Sequence, residues 1–228
     1  MTLKAVLLDL DDTLWPVVPV IRHAEAVLQQ WMHEHVPVVA RNYSVEKLRE
    51  RRNILVSADP RFQYDLWALR HTLLSEVFQE HGIPAEKADH AMAVFADARN
   101  KVDMYEDVRP GLLALEKKII LGTVSNGFAD LSAIGIAGHF KVSIAAYRFG
   151  CAKPDPRIFL AACDALKVEP SEVLYVGDDL LLDVQGAQQA GLQGGWMNRK
   201  GLKIEDERHI HIRPDAEFAS LHDLVQWI

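Results

Sequence analysis

The chain has 228 residues, enough for one large domain or a domain carrying an insertion, and 49% of them are hydrophobic, which supplies a sizeable core and excludes a disordered class. A formal net charge of -7 and a pI near 5.8 weigh against nucleic acid or an anionic membrane as the main partner, leaving small molecules. Cys151 and Cys163 show no metal spacing, the opening Met-Thr-Leu-Lys lacks a signal-peptide core and no apolar run could cross a bilayer, so a reduced, cytoplasmic protein is expected.

The first element is Ala5-Val-Leu-Leu-Asp-Leu-Asp-Asp-Thr13, an apolar run ending in acids. It reads as a strand buried on both faces with its carboxylates at the C-terminal end, where an open α/β sheet holds its ligands. Asp9 and Asp11 would share a side if the chain stayed extended through them. Pro16 then breaks the strand. From about Pro19 to Asp107 the periodicity is helical, with helices expected over Ile21 to Trp31, Ser44 to Leu55 (Ser44 and Glu46 as a weak capping box), Arg61 to Glu80 and Ala85 to Val102. Gly82-Ile-Pro84 separates the last pair.

After Arg109-Pro-Gly111, strands and helices alternate. Strands are expected at Lys118 to Ser125, Val142 to Ala146, Val173 to Gly177 and Gly195 to Met197; helices at Pro156 to Leu166, at Leu181 to Ala190 closed by Gly191, and from Leu221. Residues from about Arg199 to Pro214 read as surface loop. The alternation predicts a parallel sheet with right-handed crossovers in a Rossmann-like, three-layer α/β core, residues 1-14 and 108-228, interrupted by an inserted all-helical subdomain, residues 15-107.

Four strand ends carry polar residues: Asp9 and Asp11; Ser125, followed by Asn126; Lys153 in Gly150-Cys-Ala-Lys-Pro-Asp-Pro156; and Asp178 with Asp183 in Gly177-Asp-Asp-Leu-Leu-Leu-Asp183. Each alone has an ordinary reading: Ser125 forms a turn, Lys153 sits on the surface, Asp12 and Asp179 cap or shape turns. Jointly and in this order they resemble the motif set of the haloacid dehalogenase superfamily. The helical segment, inserted directly after the first motif, resembles that family's C1-type cap. The resemblance implies a metal held by the Asp9 carboxylate, the Asp11 backbone carbonyl and Asp178, with Asp183 a further or outlying carboxylate.

The chemistry follows from the residue types. Were Asp9, Asp11, Asp178 and Asp183 to converge, each close pair would repel by about 4 kcal/mol at 4 Å and an effective dielectric near 20. A cation is required, and an all-oxygen set suits Mg²⁺. Lys153, the Ser125 hydroxyl and backbone amides at Asn126 would then surround a phosphoryl group. Asp9 is the expected nucleophile, forming an aspartyl-phosphate, and Asp11 the acid and base that serves leaving group and water. A halide leaves without a proton and an alkoxide does not, so Asp11 favours phosphomonoester hydrolysis over dehalogenation. A phosphomutase shares the core chemistry, and a silent binding module would have shed its nucleophile.

A small phosphorylated metabolite is the expected partner, its leaving group read by the cap. The first motif, Pro19-Val-Ile-Arg22, Val176 to Leu180, Asp183-Val184, Gly186-Ala187 and Gly195-Trp196 resemble the bacterial phosphatases of riboflavin biosynthesis, which act on FMN and 5-amino-6-(5-phospho-D-ribitylamino)uracil; N-acylneuraminate and phosphoglycolate phosphatases share much of this pattern. In the cap, Tyr64, Trp67 and Arg70 or His71 fall at helical spacing, and a ring beside a cation could stack on such a leaving group; Arg22 is a further lip residue. The alternative for Tyr64 and Trp67 is the cap's own core.

Overall fold

The computed structural model describes residues 2–203 and 211–228, and contacts divide the chain into two units. One comprises Met1–Pro16, Asp103–Gly127 and Gly135–Ile228; the other comprises Val17–Val102 and Phe128–Ile134.

The first unit is built on six parallel strands: β1 (Ala5–Leu8), β2 (Ile120–Ser125), β3 (Val142–Ala145), β4 (Val173–Gly177), β5 (Gln193–Met197) and β6 (Ala216–Phe218), in the order β3-β2-β1-β4-β5-β6. This is the doubly wound order, and it reverses at β1, which pairs with both β2 and β4. Every residue of β1 and β4 is buried, as expected of near-continuous apolar strands in a parallel sheet. Helix Pro156–Leu166 packs on β2 and β3, and Gly186–Gln189 on β5. β6 is the strand the sequence reading missed: three residues, of which only Phe218 is buried, carry no period to detect. The expected loop from Arg199 to Pro214 lies partly outside the described residues.

Two further differences have local causes. Helix Val108–Leu115 contains Pro110 and Gly111, which read as a break; Pro110 falls in the first turn, and Gly111 is where Leu221 comes so close that an added Cβ would lie 2.6 Å from the Leu221 Cβ. The helix expected at Leu181 opens as a π-helical turn, Leu180–Gln185, before the short helix Gly186–Gln189.

The second unit is all-helical: α1 (Val17–His35), α2 (Pro37–Asn42), α3 (Val45–Ala58), α4 (Leu66–Gln79) and α5 (Glu86–Arg99). α2 begins on Pro37, a first-turn signal passed over in the sequence. Ser44 caps α3, accepting from the Lys47 amide, and Glu46 in the first turn lies against the Ser44 side chain. The single helix expected over 61–80 is two: a 3₁₀ turn, Pro60–Gln63, then α4 capped by Asp65, whose carboxylate accepts from the Ala68 amide. Tyr64 sits at that junction, off the helix. The unit's core runs through Leu28, Met32, Leu73, Val77, Phe78, Met92 and Phe95, and Trp67 and Phe128 pack against it. Among the described residues no helix is long and apolar enough to cross a membrane.

Candidate active site

β1 delivers its acids to the switch point as predicted, but not as an extended chain. The strand ends at Leu8, the Asp9 amide still bonds to the Val176 carbonyl of β4, and the backbone then turns: Thr13 and Leu14 amides return to the Leu10 carbonyl, and Asp12 adopts φ +58. Aspartate is among the few side chains that tolerate this left-handed conformation, so Asp12 shapes the turn. The same loop is fixed by Trp15, fully buried, whose indole N–H donates to Asp11 Oδ1 at 2.7 Å.

Asp9, Asp178 and Asp183 converge, with a carboxylate oxygen of each within 4.8 Å of the others. Lys153 stands among them: its Nζ donates to Asp9 Oδ1 at 2.5 Å, to Asp183 Oδ1 at 2.6 Å and to the Tyr175 hydroxyl at 2.7 Å. Asp9, Lys153 and Asp183 are each no more than 6% exposed. Burial is the largest influence on Asp9 and Asp178. Desolvation, with Asp183 nearby, pushes the Asp9 carboxyl up to about 7 against the pull of Lys153. Desolvation and the negative charges of Asp183, Asp9 and Asp12 push Asp178 up to about 8. The two neighbouring carboxylates outweigh desolvation at Lys153, which is driven above the ordinary lysine range.

Three carboxylates against one ammonium leave uncompensated negative charge if all are ionised, which adds to the larger effect of burial in raising Asp9 and Asp178. The donor set is hard, anionic and all-oxygen, which fits Mg²⁺. Asp183 is the most committed of the three: Oδ1 accepts from Lys153 and Oδ2 from the Asp179 amide at 2.9 Å. Gly177 makes room for it, since a Cβ there would lie 2.3 Å from Asp183 Oδ2. Asp179 caps the turn, accepting from the Leu181 and Leu182 amides. Trp196 reaches back from β5, its indole donating to the Asp178 carbonyl at 2.9 Å.

The phosphate-binding residues expected from sequence divide into two kinds. Ser125, 3% exposed, accepts from the Gly127 amide at 3.1 Å, and no acceptor among the described residues takes its own proton. Asn126 clasps the Lys153 backbone, its Oδ1 accepting from the Lys153 amide at 2.8 Å and its Nδ2 donating to the Lys153 carbonyl at 3.1 Å. Its side chain thus places the lysine.

In the helical unit the expected face does not stay together. Trp67 and His71, one turn apart, line a pocket of about 450 Å³ with Arg61, Asp89 and Met92. Arg70 faces instead a small space beside Glu25, Arg49 and Arg52, with its guanidinium 3.7 Å above the Phe95 ring, where burial lowers it to about 10. Arg22 is exposed on α1.

Sequence reasoning passed over Trp15, Tyr175 and Arg199. The signal for Tyr175 was a hydroxyl in an otherwise aliphatic strand, which must find partners when buried. Arg199 joins three backbone stretches of the core, donating to the Thr13 carbonyl at 2.6 Å and, at 2.9 and 3.0 Å, to both oxygens of Asp107.

Residues 3–191 match the family model of the haloacid dehalogenase-like hydrolases. The chain belongs to that family. The 5-amino-6-(5-phospho-D-ribitylamino)uracil phosphatase YigB of Escherichia coli (strain K12) is 29% identical, covering 99% of this chain and 96% of the relative. A glyceraldehyde 3-phosphate phosphatase of Methanopyrus kandleri is 32% identical, covering 98% and 96%. A crystal structure described as a 2-haloacid dehalogenase from Pseudomonas syringae pv. Tomato DC3000 is 36% identical, covers all of both chains and superposes with a TM-score of 0.90. These relatives carry the names of both phosphatases and a dehalogenase, so the bond cleaved is the question that remains.

Proposed function

We propose that this haloacid dehalogenase-like hydrolase is a Mg²⁺-dependent phosphomonoesterase that works through an aspartyl-phosphate on Asp9. The observation that carries the reading is Asp11, held at 2.7 Å by the buried Trp15 indole on the loop that presents Asp9. An alkoxide leaving group needs a proton and a halide does not. End-to-end similarity to two named phosphatases supports the same bond class.

An Asp9 oxygen attacks phosphorus as the ester P–O bond breaks, and Asp11 gives its proton to the departing oxygen. Asp11 then takes a proton from water, which attacks phosphorus and breaks the bond to Asp9, releasing phosphate. Lys153 favours the ionised form of Asp9 and aims it, Asn126 places Lys153, and the Ser125 hydroxyl with the backbone amide at Asn126 donates to phosphoryl oxygens. Mg²⁺, held by the Asp9 and Asp178 carboxylates, the Asp11 carbonyl and Asp183, would neutralise phosphoryl charge when bound.

The substrate class is a small phosphorylated metabolite, with FMN or a riboflavin-precursor phosphate as the first choice, given the YigB similarity. Leaving-group selection is assigned to the helical unit, with Trp67 and exposed Arg22 as its readers; Arg70, engaged by Phe95, is the weakest of the three. Free thiols at Cys151 and Cys163 fit a cytoplasmic setting.

Dehalogenation is the second reading, favoured by the 36% identity to the Pseudomonas syringae protein. One assay separates them: phosphate release from a panel containing FMN, sugar phosphates and phosphoglycolate, with and without Mg²⁺, beside halide release from 2-chloropropionate. Mg²⁺-dependent phosphate release is expected, and halide release without phosphate release would overturn the proposal.

A further inference from the structure

An ammonium has three protons to donate, and here all three are spent. Lys153 Nζ gives one each to Asp9, Asp183 and the Tyr175 hydroxyl. Tyr175 in turn donates to the Val124 carbonyl at 2.7 Å. One direction in this relay is forced: an ammonium can only donate, so the phenolic oxygen is an acceptor toward Lys153, while its own proton has the Val124 carbonyl and the neighbouring Asp183 as acceptors. Tyr175 is fully buried, and Phe159 stands edge-on to its ring with centroids 4.9 Å apart, fixing where the oxygen lies.

We propose that Tyr175 is a positioning residue that commits Lys153 to the nucleophile, so that this lysine serves Asp9 and Asp183 and leaves the phosphoryl group to other donors. The relay joins two strands and a loop: Val124 precedes Ser125 on β2, Lys153 lies in the turn beyond the short helix Ala146–Phe149 that follows β3, and Tyr175 lies on β4 two residues before Gly177. Without the phenolic oxygen, one buried N–H loses its acceptor and the ammonium must turn to find another. It then competes with Asp9 for orientation. The inference deepens the aspartyl-phosphate reading and rests on it.

Tyr175→Phe removes one oxygen and keeps the ring against Phe159. With p-nitrophenyl phosphate and Mg²⁺, kcat should fall about tenfold, as expected for losing a hydrogen bond to a charged group. KM and the inhibition constant of inorganic phosphate should stay within about twofold, because neither Tyr175 nor Lys153 supplies the phosphate contacts. A merely structural role would instead lower the melting temperature and leave kcat per folded molecule unchanged. Site-specific 3-fluorotyrosine at 175 preserves the fold, weakens the oxygen as an acceptor and should lower kcat in the same direction. A kcat within twofold of wild type in both variants overturns the inference, as does a rise in KM and phosphate inhibition constant in step with the loss. Absence of turnover in the wild type would refute the phosphatase reading itself, a different observation from an unaffected variant.

Discussion

Binding of Mg²⁺ should expel protons, and the number is set by the two carboxyls whose ionisation burial and mutual repulsion suppress. Burial and neighbouring charge push Asp9 up to about 7 and Asp178 up to about 8. At pH 7 the pair then holds a substantial share of its protons, so a cation that needs both as carboxylates releases about one to two protons, falling towards none well above pH 8. Isothermal titration of Mg²⁺ into the metal-free protein, repeated in buffers of different ionisation enthalpy, reads this number directly. Apparent affinity should climb with pH below 7 and flatten above 8. The same shifts fix the sign of the metal-free stability. Both folded values lie above the model-peptide value of 3.8, so the folded state holds these protons more tightly than the unfolded chain. Their contribution is fullest at low pH and is lost as pH rises from near 4 to about 8. Proton release near zero at pH 7 would refute the reasoning, showing that Lys153 alone keeps the carboxylates ionised.

Two substitutions probe neighbouring parts of the site. Asp11→Asn should slow alkyl phosphate esters at least about tenfold more than p-nitrophenyl phosphate, whose phenolate leaves with little protonic help; equal losses in steady-state kinetics would remove the acid role. Gly177→Ala places a methyl 2.3 Å from Asp183 Oδ2. It should destabilise by roughly 1–3 kcal/mol in urea unfolding and abolish turnover by displacing the carboxylate that holds Lys153, and wild-type behaviour would contradict the packing argument.

The polar set was legible because residue type, order and the resemblance to a known motif set carry it together. A buried apolar strand can place acids only at its ends, which located Asp9 and Asp178, and the resemblance joined Ser125 and Lys153 to them before any coordinates. Less legible were the residues that hold this set in place. Tyr175 and Trp15 look like ordinary core aromatics until the direction of the O–H and N–H is known, and Asn126, expected to offer its backbone amide to phosphate, has a side chain whose clasp on the Lys153 backbone was not foreseen. The π-helical turn at Leu180–Gln185 has no periodicity of its own, so the geometry bringing Asp183 under Gly177 was hidden in an expected helix. In the helical unit, three-residue and four-residue spacings diverge: Trp67 and His71 share a pocket while Arg70 faces Phe95. β6 was too short and too exposed to register.

The account stands on Asp9 as the group that takes the phosphoryl. Rapid acid quench during turnover of a radiolabelled phosphomonoester, followed by peptide mapping, should find the label on Asp9 and none on the Asp9→Asn protein, which should also be inactive. Turnover that persists in Asp9→Asn, or label on another residue, would contradict it.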